Sequence, residues 1–133
     1  MSTPGSLVRD GARAIMEARG ENHHWRYAGD EEYRALLAAK LIEEAAEARD
    51  EVLRLLIAGG GGDVSRMLSE LADVTELVLA LAAAFGATPG DVRNHAVVKR
   101  ADRGGYEGRL IWDGPADDAA ATAVTAYEEG KIG

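Results

Sequence analysis

Lys40 to Val52 reads KLIEEAAEARDEV, with five acidic residues in thirteen positions. A glycine-rich break follows, and then Ser69 to Phe85, SELADVTELVLALAAAF, an apolar run that still carries Glu70, Asp73 and Glu76. Ala, Leu, Glu and Arg dominate the first stretch, Ala and Leu the second; all are strong helix formers. An α-helix advances about 100° per residue, so each stretch can be tested for a face that buries itself. On the first, Leu37, Leu41, Ala45, Ala48, Val52 and Leu55 form one apolar stripe. Glu44 falls roughly 60° to one side of its centre and Glu47 about 120°, with Lys40 and Glu51 on the same flank. Glu43 and Asp50 point further out, towards solvent. On the second, the stripe is Met67, Leu71, Val74, Val78, Leu81, Ala82 and Phe85. Glu70 lies about 80° off that centre, and Asp73 further round in the same direction.

Punctuation sets the element boundaries. A first helix is expected from Arg9 to Ala18, stopped by Gly20. The polar and aromatic ENHHWRYAGD reads as a short extended segment, and Asp30 as the cap of a long helix from Glu31 to Ile57. Ala58 to Asp63, AGGGGD, is a break whose Asp63 can cap a second helix, Val64 to Phe85, ended by Gly86. Thr88-Pro89 opens a third long helix reaching Ala101 or Asp102, because proline suits a first helical position. Arg109 to Trp112 reads as a short extended run. The expected architecture is all-α: an antiparallel helical hairpin plus additional helices, in one domain over residues 1–112. Residues 113–133 have weak periodicity and read as a loosely held tail.

Glu44/Glu47 and Glu70/Asp73 are each spaced i, i+3, which puts both members of a pair on neighbouring positions of one helix surface. At about 1.5 Å of rise per residue, the first pair lies roughly 17 Å before the turn and the second roughly 11 Å after it. The four carboxylates are therefore expected to converge between antiparallel helices. Unpaired buried charge costs several kcal/mol per ion. A divalent cation removes that cost, and an all-oxygen ligand set suits Mg²⁺ or Mn²⁺. The plain alternative is a solvated acidic face paired with Lys and Arg. Against it, the second helix is too apolar for Glu70 and Asp73 to be solubilisers, and Glu47 and Asp73 lack basic neighbours at i±4.

Composition narrows the partners. The chain has 133 residues, 47% hydrophobic but 5% aromatic, and a net charge of −8 with a pI near 4.8. Polymeric nucleic acid and anionic membranes call for a basic face, so neither is an expected partner. With no cysteine, disulfides, thiolate metal sites and thiol nucleophiles are excluded. The N-terminus has no signal-type apolar core, and Leu77 to Phe85 is too short to span a bilayer, so a cytoplasmic location is expected.

The paired motif, Glu44-x-x-Glu47 and Glu70-x-x-Asp73 separated by residues 48–69, resembles the all-α nucleoside triphosphate pyrophosphatase superfamily. That group comprises MazG-like enzymes, dimeric dUTPases and phosphoribosyl-ATP pyrophosphohydrolase. The opening LVRDGARAIMEARGE, the middle DEEYRALLAAKLIEEAAE and the ending VVKRADRGGYEGRLIW resemble a MazG-related, phosphoribosyl-ATP pyrophosphohydrolase-like branch. The likeness spans Leu7 to Trp112. Gly11-Ala12-Arg13 departs from the branch's usual Lys-Ile-Pro, and the Gly59 to Gly62 run and the residues after Asp113 match nothing in it. The resemblance implies hydrolysis between the α- and β-phosphates of a nucleotide, to a monophosphate and pyrophosphate. It implies that Glu44, Glu47, Glu70 and Asp73 hold Mg²⁺, with Mn²⁺ as a substitute, and that Glu43 or Glu44 acts on the attacking water. It also points to a homodimer or higher homo-oligomer with a four-helix-bundle core, as does the apolar surface that one hairpin leaves uncovered. Two other functions stay open: a phosphoribosyl-ATP pyrophosphohydrolase of histidine biosynthesis, and a non-catalytic helical dimerisation module.

Lys99, Arg100 and Arg103 precede Gly104-Gly105 and are candidate triphosphate contacts, the alternative being cations that complement a helix C-terminus. Lys40 is a candidate for the same role, against a salt bridge to Glu44 at i+4. His23 and His24 are adjacent and lack the i, i+4 spacing that would aim both at one metal. Trp25, Tyr27 and Tyr106 either stack on a base or pack over helix ends, with packing favoured for the first two. Arg9 and Asp10 read as a local ion pair.

Overall fold

The computed structural model describes residues 3–116, and the end of the expected tail, residues 117–133, lies outside them. Four helices account for the regular structure of the described residues, with no strand among them: α1 (Ala12–Ala18), α2 (Asp30–Ile57), α3 (Ser65–Ala84) and α4 (Pro89–Arg103). The all-α expectation therefore holds. The chain divides into two compact units, Met1–Pro89 and Gly90–Gly133, so the division falls within the span read as one domain.

Glycine and proline punctuation places the helix ends well, because caps are local chemistry. α2 ends in a left-handed glycine, Gly59 at φ 85°, with Gly60 N–H donating to Leu55 O at 2.7 Å and Gly59 N–H to Leu56 O at 3.1 Å. α3 ends the same way: Ala87 N–H donates to Ala82 O and Gly86, at φ 82°, to Ala83 O. Both are six-residue Schellman closures, which satisfy carbonyls that the helix would otherwise leave open. Asp63 does the corresponding job at the start of α3, its Oδ1 accepting from the Ser65 amide at 2.9 Å and the Ser65 hydroxyl at 2.7 Å.

Several expectations need correction. Asp30 does not cap α2; it is the first helical residue, and Gly29, which precedes it, offers no side-chain cap. Asp30, Glu31 and Glu32 instead place negative charge in the first turn, where the helix dipole favours it. Glu32 is held by a two-pronged pair with Arg26, at 2.7 and 2.8 Å. α1 starts three residues later than expected. Arg109 to Trp112 is not a continuous extended run: Arg109 has φ 57°, and its amide donates to Tyr106 O at 3.2 Å in a turn.

In the first unit, α2 packs along α3. Arg34, near the start of α2, donates to Ala84 O at the end of α3 and lies 4.9 Å over the Phe85 ring. Near the end of α2, Glu51 meets Arg66 at the start of α3 at 3.4 Å. The contact face differs from the apolar stripe. The buried residues of α2 are Leu37, Glu44, Ala48 and Glu51, while Ala45 and Val52 are exposed. At 100° per residue, that is a rotation of roughly 40° towards the carboxylate flank. On α3 the expected stripe largely holds: Met67, Val74, Val78, Leu81 and Ala82 are half-buried, and Leu71 and Phe85 are exposed. Leu37 and the small Ala48 supply the apolar part of the buried α2 face, with Glu44 and Glu51 beside them, while Ile42, Leu53 and Leu56 are left outside.

Candidate metal centre

The rotation carries the acidic residues from the flank of α2 into its contact with α3. Glu44 is 8% exposed, less than any other charged residue described. Carboxylate oxygens of Glu44, Glu47 and Glu70 all lie within 4.8 Å of one another. Oε2 of Glu44 and Oε2 of Glu70 are buried without a hydrogen-bond partner. A buried acceptor left unsatisfied costs on the order of 1–3 kcal/mol, more when charged, so these two oxygens mark a place where a cation would be stabilising. Opposite ligands of a Mg²⁺ ion with bonds of about 2.1 Å are about 4.2 Å apart, so the three side chains need little adjustment to share one.

Electrostatics report the same crowding. Burial, and then the hydrogen bond and charge of Glu47, raise the Glu44 pKa from 4.5 to about 7. Glu47 moves the opposite way, lowered first by the hydrogen bond it accepts from Glu44. The two carboxyls thus hold one proton between them near neutrality, as like charges at close range must. Lys40 offsets part of the repulsion from its half-buried position, with Nζ 3.2 Å from Glu43 Oε1 and 3.6 Å from Glu44 Oε1. The salt-bridge alternative for Lys40 is therefore present. Glu43, expected to face solvent, is half-buried by that same contact.

Asp73, the fourth expected ligand, is not among the three clustered residues. Its Oδ1 accepts from Arg9 Nη2 at 2.5 Å, and Glu76 and Glu44 add to the negative field around that guanidinium. Arg9 does not pair with Asp10; its partner lies 64 residues away, beyond any local pattern. Sequence reasoning also missed the arginines around Glu51, Arg54 Nε and Arg66 Nη2, each at 3.4 Å. Glu51 shares the face of Leu37 and Glu44, and that spacing was the available signal.

Lys99, Arg100 and Arg103 are exposed on α4 in the second unit. Arg100 pairs with Glu107 across Gly105, whose missing side chain leaves room for the pair, and Arg103 lies 3.8 Å from Asp102. His23 is engaged locally, by Glu21 at 2.9 Å and by an edge contact with Trp25. Tyr27 is 90% exposed, so it does not pack over a helix end. An open groove of about 630 Å³ runs along the other end of the helix pair, lined by Ala35, Ala38, Leu41, Val78, Leu81 and Phe85 among others, with no carboxylate. No single helix of the described residues is long and apolar enough to cross a membrane.

Comparison of the chain with family models, with curated proteins and with solved structures returns no match.

Proposed function

We propose that this chain is a divalent-cation-dependent nucleotide pyrophosphohydrolase, cleaving between the α- and β-phosphates of a nucleoside triphosphate and clearing noncanonical or excess nucleotides. One observation carries the reading: three carboxylates from α2 and α3 meet within 4.8 Å, two of them with buried, partnerless oxygens. A fold that stability alone had shaped would gain by replacing Glu44 with an apolar residue, since uncompensated burial of charge is unfavourable. Glu44, Glu47 and Glu70 would hold Mg²⁺, with Mn²⁺ as a substitute, and Asp73 lies on the next turn of α3 as a fourth ligand. The cation supplies charge neutralisation for the phosphates and a more acidic bound water. Glu43, which accepts a hydrogen bond from Lys40, is the proposed proton acceptor beside Glu44. Lys40 is the proposed phosphate contact beside the carboxylates, and Lys99, Arg100 and Arg103 of the second unit are proposed to bind phosphate on their own unit.

Pyrophosphate release from a panel of NTPs, dNTPs and phosphoribosyl-ATP, with Mg²⁺ or Mn²⁺ and an EDTA control, tests the proposal. Turnover of at least one nucleoside triphosphate, absent with EDTA, is the expected result. Turnover of phosphoribosyl-ATP alone would transfer the same site to a biosynthetic reaction. No release from any substrate, with the carboxylates intact, would leave the dimerisation module as the better account.

The homodimer belongs to the same proposal. It would be built from an antiparallel α2–α3 hairpin on each subunit, packed as a four-helix bundle. Supporting it, Ile42 is 73% exposed, and Leu53, Leu56, Leu68 and Phe85 are exposed as well. Large apolar side chains in such numbers on one helix pair are a recognised mark of an association surface. Sedimentation equilibrium is expected to give twice the 14.1 kDa chain mass, and Ile42→Glu with Leu53→Glu to give a monomer.

A further inference from the structure

Resting on the cation reading above, one contact is unexplained by it: the fourth ligand is already occupied. Arg9 belongs to the arm that precedes α1. That arm is lightly held: Ser6 and Leu7 alone are half-buried among residues 3–11, and α1 has no buried residue. Its guanidinium nevertheless reaches Asp73 Oδ1 at 2.5 Å, with the Asp73 side chain 34% exposed and that of Arg9 64% exposed. Glu44 and Glu76 contribute to the field that draws it there. Meanwhile Glu44 and Glu70, one turn away from Asp73 or across from it, keep buried oxygens without partners. Arg9 therefore adds a positive charge at the rim of the acidic site, on the Asp73 side, while Lys40 lies against Glu43 and Glu44.

We propose that Arg9 is a positioning residue that acts as a built-in counter-ion. It holds Asp73 apart from the Glu44–Glu47–Glu70 triad and competes with a divalent cation for that fourth carboxylate. Cation binding that recruits Asp73 frees Arg9, and with it the arm. The arm and the acidic centre are thereby linked: a filled centre loosens the arm, and a docked arm weakens the centre. A merely structural ion pair predicts the reverse, since losing it would disorder Asp73 and weaken cation binding.

The test is Mn²⁺ titration by calorimetry of the full chain, with amide hydrogen exchange over residues 6–12 as a second readout. Arg9→Ala is expected to bind Mn²⁺ about fivefold more tightly than wild type, the scale of one partly exposed ion pair. Arg9→Lys, which keeps the charge, is expected to fall between them. In wild type, Mn²⁺ is expected to speed exchange over residues 6–12; in Arg9→Ala exchange is fast already and does not respond. Unchanged or weaker Mn²⁺ binding by Arg9→Ala, while Glu47→Gln abolishes it, overturns the role of Arg9 and leaves the metal centre standing. No Mn²⁺ uptake by wild type overturns both.

Discussion

Glu44→Gln is expected to abolish pyrophosphate release and divalent-cation binding while making the cation-free protein more stable. The opposite signs separate a functional carboxylate from a structural one. Glu44 is buried against α3 with Oε2 unsatisfied and with Glu47 as its nearest charged neighbour on the acidic side. Replacing it by the isosteric amide removes one of two repelling charges and supplies an N–H₂ donor for Glu47, with little change in volume. At pH 8 the gain is bounded by the free energy of holding that carboxylate ionised in the folded chain. A pKa moved from 4.5 to about 7 corresponds to about 3 kcal/mol. The Lys40 contact at 3.6 Å is lost as a charge pair and reduces the gain. Activity moves the other way. An amide oxygen is a neutral and weaker ligand, and loss of one charged ligand from the proposed set is expected to lower kcat/KM by at least 10²-fold, as for removal of other groups that stabilise developing charge. Urea denaturation in EDTA and pyrophosphate release in Mg²⁺ measure the two effects. If the variant is less stable and retains turnover, Glu44 is a structural residue and the proposed centre is wrong.

Much of this geometry could be read in the sequence, and the parts that could not share a cause. Helix ends were legible to within one to three residues, because Gly20, Gly59, Gly86 and Pro89 act through their own backbone. The acidic cluster was legible too: i, i+3 pairs on consecutive helices converge in Glu44, Glu47 and Glu70. What periodicity could not supply was the rotation of α2. It weighs side chains by apolarity and so centres on Leu41, Ala45 and Val52, whereas the buried face runs through Leu37 and Ala48, at one edge of that stripe, with Glu44 and Glu51 beside them. A stripe argument assumes that a buried face is the most apolar face. Here the helix buries carboxylates and leaves Ile42 and Leu53 outside, so the assumption fails where the site lies. Arg9 illustrates a second limit. Its partner Asp73 is distant in sequence, and the adjacent Asp10 offered a nearer and mistaken match. Glu43 shows a milder form: its helical angle placed it in solvent, yet Lys40 folds back to cover it.

The same burial predicts how the cation-free protein responds to pH, and this is the second large effect. Below about pH 4.5, Glu44 is protonated whether the chain is folded or not. Between that value and about 7, the folded chain keeps the proton and the unfolded chain releases it. The unfolded state therefore binds fewer protons throughout that window, and stability falls as pH rises through it, by up to about 3 kcal/mol once pH exceeds 7. Glu47 works in the opposite sense, since its lowered pKa adds stability that is lost on acidification. Its contribution lies at lower pH, so the net slope between 5 and 7 stays negative. In the proposed centre a divalent cation would take the place of the shared proton and reverse the trend. Because it needs both carboxylates ionised, it binds better as pH rises, and at 100 times its Kd it stabilises the fold by about 2.7 kcal/mol. Thermal melts from pH 5 to 8.5 are therefore expected to show Tm falling in EDTA and rising or holding level in excess Mg²⁺, so that the two curves diverge above pH 6. Glu44→Gln should flatten the EDTA curve and remove the gap. Parallel curves with and without Mg²⁺ would mean that the carboxylates of α2 and α3 share a proton and nothing more.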